Sequence, residues 1–402
     1  MLATTKDPNV YEILQKCLEG KKISKRDAYN LINSVDCNDL IIDTGRKIRD
    51  RFRIGPITYS RKVFINLINL CRDTCSYCTY KKEPYDNSVT MMKPEQVLAI
   101  AEAGRRLHCT EALFVTGEKP EQKYQEAKAW LNSVRRSSTI EYINEMSEMV
   151  LNKTGLLPHT NAGSLTRKDM SLLKETNVSL GMMLESSSPR LGLSQRLGQK
   201  GMPHENAPSK NPKVRIKALE NAGQLRIPLT TGLLIGIGES PEELVDSLFT
   251  IQEINQKYGH IQEIIMQNFA PKPETGMERS APPTYNYFIK SIAIARMIMP
   301  ETNIQVPPNL NPNIFGKYLD AGINDWGGIS PVTIDYVNPE FPWPSIESVK
   351  YVTENRGCKF RARLPVYPEF IVKNNGFIKD RLKNYVNLIS DETGLVREDY
   401  IN

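Results

Sequence analysis

The sequence predicts an α/β fold, a TIM-type (β/α) barrel, complete or nearly complete, with a helical N-terminal extension and an irregular C-terminal one. Two observations predict it. From Lys62 onward, short apolar runs alternate with amphipathic helical stretches. Seven or eight such units follow one another, which implies parallel strands joined by right-handed crossovers and favours closure at this count. A doubly wound open sheet satisfies the same pattern. The divisions fall at 1–55, 56–330 and 331–402, the last packed on the barrel.

Taken in order, residues 1–55 read as helices, and Ser24 and Asp27 in ISKRDAYNLINS have capping-box spacing. The expected strands are 63–70, 112–116, 156–160, 178–184, 230–237, 263–269 and 303–307, with a weak last one near 321–328. Between them, Pro94 and Pro120 sit where a helix should begin. Thr166 with Asp169, and Ser240-Pro241 with Glu243, have N-cap character. Gly104, Gly155 and Gly223 fall where those helices should stop. Beyond Pro331 the chain is proline-rich and mixed in charge (VNPEFPWPSIESV), hence the irregular extension.

The 402 residues are 40% hydrophobic, 8% aromatic and 24% charged, which excludes a disordered, collagen-like or coiled-coil chain. A formal charge of +6 suits an anionic small molecule and falls short of a nucleic-acid footprint. The N-terminal MLATTKDPNVYEILQKC has no apolar leader, and no run of about 18 apolar residues occurs, so neither a signal peptide nor a membrane span is expected. Seven cysteines make an odd number, and three crowd into eight positions, which is no disulfide framework. A cytoplasmic, reducing compartment is the expectation.

Those three, in Cys71-Arg-Asp-Thr-Cys75-Ser-Tyr-Cys78, follow the first strand directly. On a barrel they occupy the first loop of the C-terminal face, where such folds carry their chemistry. Three thiolates in one short loop call for a metal, and soft sulfur selects zinc, copper(I) or an iron–sulfur cluster. Structural zinc takes four ligands, and no second CxxC knuckle exists. His108 and Cys109 precede the next strand and belong at the opposite end, roughly 16–20 Å away. Three thiolates on a cubane leave one iron free to hold a small molecule. Cys17, Cys37 and Cys358 are scattered singly and suit packing.

CxxxCxYC after the first strand of such a series resembles the radical S-adenosylmethionine (SAM) superfamily. The resemblance implies a 4Fe–4S cluster on Cys71, Cys75 and Cys78, with SAM on the fourth iron. It also implies SAM contacts along the chain. Thr116-Gly117-Glu118 resembles the GGE element that holds the SAM amino group, with Thr for the first glycine. Glu185 stands at the ribose position, and Arg215 where relatives place an arginine on the carboxylate. Gly236, in Gly232-x-Leu234-x-Gly236-x-x-Glu239, lies in the element beside adenine, as does the backbone of Tyr77. Charge supports the transfers: an ammonium calls for Glu118, and a carboxylate for the fork of Arg215.

Segments such as TYSRKVFINLINLCRDTCSYCTYKKEP, LPHTNAGSLTRKDMSLLK and DWGGISPVTIDYVNPEFPWP are similar to one family within that superfamily, the deazaflavin synthases of CofG type, over nearly all of 50–345. What this implies is a lyase of coenzyme F-420 biosynthesis. It would close 5-amino-5-(4-hydroxybenzyl)-6-(D-ribitylimino)-5,6-dihydrouracil to the deazaflavin with loss of ammonia. The substrate would come from the CofH-type partner subunit, with which a complex is expected, and electrons from a donor such as ferredoxin or flavodoxin. Neither nucleic acid nor a membrane is an expected partner. Within the superfamily, the CofH subunit and the futalosine-processing enzymes of menaquinone synthesis share the layout. Outside it stands a zinc-stabilised RNA-binding protein. No catalytic side chain is singled out. His159, Asn161 and Asp325 either face the barrel mouth or serve as loop caps and turn residues, and His108, His204 and His260 read as structural or solvated.

Overall fold

The computed structural model describes residues 7–193, 202–373 and 375–401. Residues 1–6, which opened the reading of the N-terminus above, lie outside these. Eight parallel strands form the barrel: β1 (Ile57–Ile68), β2 (Glu111–Thr116), β3 (Leu157–Asn161), β4 (Ser179–Gly181), β5 (Leu229–Ile235), β6 (Ile261–Asn268), β7 (Asn303–Gln305) and β8 (Asp325–Ile329). They pair in sequence order, and β1 closes the ring by pairing with both β2 and β8. All eight expected strands are present, and closure excludes the open sheet.

β1 begins six residues before the expected run because its polar half, ITYSRK, faces the interior and two further partners. Residues 58–61 pair with β8, while 57–60 pair with a ninth strand, β9 (Phe360–Arg363). β9 continues the line of β2 beneath it, at the barrel's base. The segment after Pro331 is irregular only as far as Pro344. Helices Ile346–Glu354, Pro368–Val372 and Asp380–Ile389 follow, together with β9. Prolines in the first stretch mask this later order.

Around the barrel, the capping boxes at Ser24, Thr166 and Ser240 are formed as expected. Pro120 opens only a 3-10 turn, and the helix itself starts at Gln125. Gly155 does stop its helix, at φ 75°. Gly104 and Gly223, expected as stops, lie inside theirs. A Cβ would stand 2.4 Å from Val63 at Gly104 and 2.5 Å from Tyr258 at Gly223, so both are close-packing positions. Helices α1 (Pro8–Leu18), α2 (Lys25–Asn33) and α3 (Asn38–Phe52) pack outside the barrel, α3 against Tyr285–Ile298 and α2 against Pro241–Tyr258. No described helix is long and apolar enough to cross a membrane.

The lower barrel interior is polar. Arg363 on β9 donates to Asp325 at 2.6 and 2.9 Å and to Glu263 at 3.1 Å. Glu263 also accepts from Tyr367 (2.8 Å) and Thr230 (2.9 Å), and all of these side chains are buried. His159 stands in the same interior, its Nδ1 2.7 Å from Ser179 Oγ. Asp325 and His159 are therefore structural, and the mouth receives neither.

Burial pushes His159 and His260 down to about 4, from 6.5. The unfolded chain protonates them near 6.5 and the folded chain does not, so folding is favoured above that pH and penalised as pH falls toward 4. The urea midpoint is expected to fall over this interval by an amount worth several kcal/mol (about 1.4 per pKa unit per group). His159→Gln should make the decline shallower if it retains the contact with Ser179.

Candidate active site

The site lies at the C-terminal ends of the strands, where a cavity of about 320 Å³ opens. β1 delivers the cysteine loop to it, and Cys71, Cys75 and Cys78 all line the wall. The loop is pinned on both sides: Arg72 N–H donates to Glu118 O (2.8 Å), and Thr74 and Ser76 N–H donate to Asn206 and Pro203 carbonyls (2.8 and 2.9 Å). Cys71 Sγ accepts the amide of Glu118 at 3.2 Å. Gly117 is obligatory at the crossing, since a Cβ there would meet Leu70 O at 1.9 Å.

Burial pushes the Cys71 thiol up to about 11 and raises Cys75 further. Burial thus disfavours the thiolate form of both, which a bound cation would favour. Among the described residues, no three His, Cys, Asp or Glu side chains surround a single ion. A cubane places its ligands on separate irons, so three cysteines lining one cavity without converging on a point fit a cluster better than a lone zinc.

Two carboxylates face this wall incompletely satisfied. Glu118 is buried; its Oε2 accepts Ser164 N–H at 2.7 Å, and its Oε1 has no hydrogen bond. Asp73 Oδ2 accepts from the Ser209 hydroxyl, and its Oδ1 has no hydrogen bond. Arg72 approaches both without hydrogen-bonding either, at 3.8 Å from Glu118 and 3.7 Å from Asp73. Burial raises the Glu118 carboxyl, against the Ser164 amide and Arg215. Buried acceptors left open in this way mark a place for a donor from outside the chain. Arg215, also buried, is aimed by bonds from Nε to Ser209 O and Nη1 to Met183 O, both 2.9 Å, and it lines the cavity.

Glu185 lines the opposite side. It is a non-glycine residue at φ 65°, held there because its N–H donates to Gly232 O (2.8 Å) and its carbonyl accepts from Leu234 (3.2 Å). Strain of this kind persists only where neighbours enforce it. Its carboxylate accepts from the Tyr77 hydroxyl and Lys210 and lies 3.0 Å from His204 Nε2. Burial opposes ionisation, but Lys210, His204 and Arg215 outweigh it and hold Glu185 well below the usual carboxylate range.

The cavity thus brings together eight of the nine expected residues: Cys71, Cys75, Tyr77, Cys78, Gly117, Glu118, Glu185 and Arg215. Gly236 is not among its lining residues. At φ 95°, with its N–H on Glu239 (2.7 Å) and Pro283 where a Cβ would go, it turns the chain beyond β5. His204, read from sequence as structural or solvated, is buried against Glu185 and Tyr77. Lys210 and Ser209 were not anticipated; all three lie on the long stretch after β4, which has no periodicity to flag them. The cavity is lined as well by Asn161, Gln267, Gln305, Lys62 and Trp343. Lys62 is buried, with Nζ 5.0 Å from the Trp343 ring centre, and burial lowers its ammonium from the ordinary value.

Residues 65–251 match the radical SAM superfamily model. The chain is 44% identical to the 7,8-didemethyl-8-hydroxy-5-deazariboflavin synthase of Methanopyrus kandleri, over 85% of this chain and 100% of that protein. It is 45% identical to the synthase of the same name from Methanocaldococcus jannaschii, covering 87% and 94%. An FO synthase of Streptomyces coelicolor is 40% identical over 96% of this chain and 46% of its own length. Among solved structures, the FeFe-hydrogenase maturase HydG of Carboxydothermus hydrogenoformans superposes with a TM-score of 0.72 (19% identity; 94% and 89% covered), and methylornithine synthase PylB with 0.67 (19%; 86% and 96%). At that identity these two speak for the fold alone. By its sequence relatives, the chain belongs to the 7,8-didemethyl-8-hydroxy-5-deazariboflavin synthase family of the radical SAM superfamily.

Proposed function

We propose that the chain converts 5-amino-5-(4-hydroxybenzyl)-6-(D-ribitylimino)-5,6-dihydrouracil to 7,8-didemethyl-8-hydroxy-5-deazariboflavin with loss of ammonia, as a radical SAM lyase of coenzyme F-420 biosynthesis. The observation that carries this reading is the cavity in which three cysteines, an incompletely bonded Glu118 and Arg215 meet. Superfamily membership implies a 4Fe–4S cluster and SAM. When bound, these would supply the one-electron chemistry that opens a carbon–hydrogen bond of the substrate.

The chain's own residues hold and shield those partners. Cys71, Cys75 and Cys78 would hold the cluster through their sulfurs. Glu118 Oε1, with Asp73 Oδ1 nearby, receives an ammonium, which supplies the donors both oxygens lack. Arg215 offers its guanidinium to a carboxylate. Glu185, kept ionised, has acceptor capacity for ribose hydroxyls, and the backbone at Tyr77 faces the base. In the same cavity, Lys62 donates toward the uracil carbonyls while Asn161, Gln267 and Gln305 meet the ribityl hydroxyls. Phe64, Val337 and Trp343 line the same cavity and keep water from a carbon radical.

Glu118→Gln keeps the shape and removes the charge. It is expected to weaken SAM binding to the reconstituted protein by at least about 10-fold, the equivalent of a charge-assisted hydrogen bond. Iron content should stay unchanged. Equal SAM affinity in an equilibrium titration would remove Glu118 from the ammonium site.

The function itself is tested by product. The reconstituted protein with the ribityl-dihydrouracil adduct, SAM and dithionite is expected to form the fluorescent deazaflavin. SAM cleavage without deazaflavin would reject the substrate and turn attention to the CofH-type or futalosine-type reactions.

A further inference from the structure

Beside the mouth, on the outer flank of the cysteine loop, lies a second concavity of about 440 Å³ whose lining is dominated by one sign of charge. It carries Arg72, Lys119, Arg167, Lys213 and Lys217, against Glu118 as the one carboxylate among its described lining residues. Lys213 and Lys217 are one turn apart on helix Pro212–Gln224 and share a face. Arg167 begins the helix Arg167–Leu173. Those three cations are exposed. Lys217 has a carboxylate at 3.9 Å, on Glu220, whereas Lys119, Arg167 and Lys213 form no ion pair among the described residues.

Position sets this groove apart. Arg72 is next in sequence to Cys71. Glu118 lines both the groove and the cysteine cavity, and its amide bonds Cys71 Sγ at 3.2 Å. The groove and the cysteine cavity therefore share a wall at Arg72 and Glu118, directly beside Cys71. A larger concavity of about 1010 Å³ at the barrel's base also holds cations. There Arg361 pairs with Asp391 and Glu398 and Lys350 with Glu354, while Arg61 and Lys359 form no ion pair among the described residues; what separates the two is place, since this concavity lies at the end of the barrel away from the cysteine loop.

We propose that the groove docks an acidic one-electron carrier protein, whose redox group comes to rest against Arg72 and Glu118. This rests on the function proposed above, which needs a cluster on Cys71, Cys75 and Cys78 to be reduced. The carrier loses one electron, the cluster gains it, and no bond forms or breaks. A groove with cations in excess, three of them without an ion pair, steers an oppositely charged protein at long range and fixes its orientation, with a strong dependence on salt. The groove has no aromatic side chain among its described lining residues on which bases could stack, which favours an acidic protein over RNA.

The test uses the anaerobically reconstituted holoenzyme with reduced flavodoxin as the carrier and dithionite as the small reductant. Lys213→Glu/Lys217→Glu and Arg167→Glu are expected to slow flavodoxin-driven bleaching of the cluster by about 10-fold or more. They should weaken binding of oxidised flavodoxin in parallel and flatten the salt dependence of both. Lys213→Arg/Lys217→Arg should behave as the parent. Dithionite-driven reduction and 5′-deoxyadenosine formation should not change. Flavodoxin reducing the charge-reversed proteins as fast as the parent would overturn the proposal. So would an equal loss with dithionite, or salt-sensitive capture of an RNA oligonucleotide by the groove with no flavodoxin binding. Failure of the parent itself to cleave SAM with dithionite would instead bring down the functional reading beneath it.

Discussion

Alanine at Cys71, Cys75 or Cys78 is expected to abolish the brown colour of the reconstituted protein and its formation of 5′-deoxyadenosine. Each sulfur serves a separate corner of a cubane, so removing one leaves two protein ligands for a cluster that already has a bare iron. The loss should exceed the roughly 10–100-fold typical of an outer-shell partner. The fold should survive, because the three side chains line a cavity outside the main core, and Cys78 touches only the small cluster of Phe64, Tyr80 and Val115. Iron content, the visible spectrum and deoxyadenosine release are the measurements, with thermal unfolding as the control. A variant that kept its colour and still cleaved SAM would undo the cysteine assignment.

The largest effect on stability is expected at Arg363. Its guanidinium is the shared counter-ion of Asp325 and Glu263 inside the barrel, at 2.6 to 3.1 Å, with every partner buried. Arg363→Met removes the cation and strands two carboxylates, at a cost of about 3–5 kcal/mol. Burial already raises the Glu263 carboxyl against the pull of Arg363, so without the arginine it should hold its proton to higher pH still. Urea unfolding measures the loss, and adding Asp325→Asn and Glu263→Gln should recover part of it. A change of roughly 1 kcal/mol or less would put this ion pair in the class of surface pairs.

The parts legible in the sequence were those written locally. Cys71, Cys75 and Cys78 fall within one loop, Glu118 ends a strand, and Ser24, Thr166 and Ser240 cap their helices by contacts three residues away. Eight strands stood out because each falls on a short run rich in apolar residues, the last of them weakly. β9 did not, since FRAR alternates cations with small or aromatic groups and pairs with residues some 300 positions earlier. His204, Ser209 and Lys210 were equally silent: their roles come from where a long loop returns, which no periodicity records. Gly104 and Gly223 looked like helix stops because the neighbours they admit, Val63 and Tyr258, are distant in sequence.

That ninth strand also sets an order on biogenesis. The ribosome releases every stave of the barrel, and the cysteine loop first among the functional parts, before it releases the arginine that neutralises the floor. Until then a nascent chain carries two acidic groups without their shared counter-ion, so the barrel gains its full stability only once residue 363 has cleared the exit tunnel.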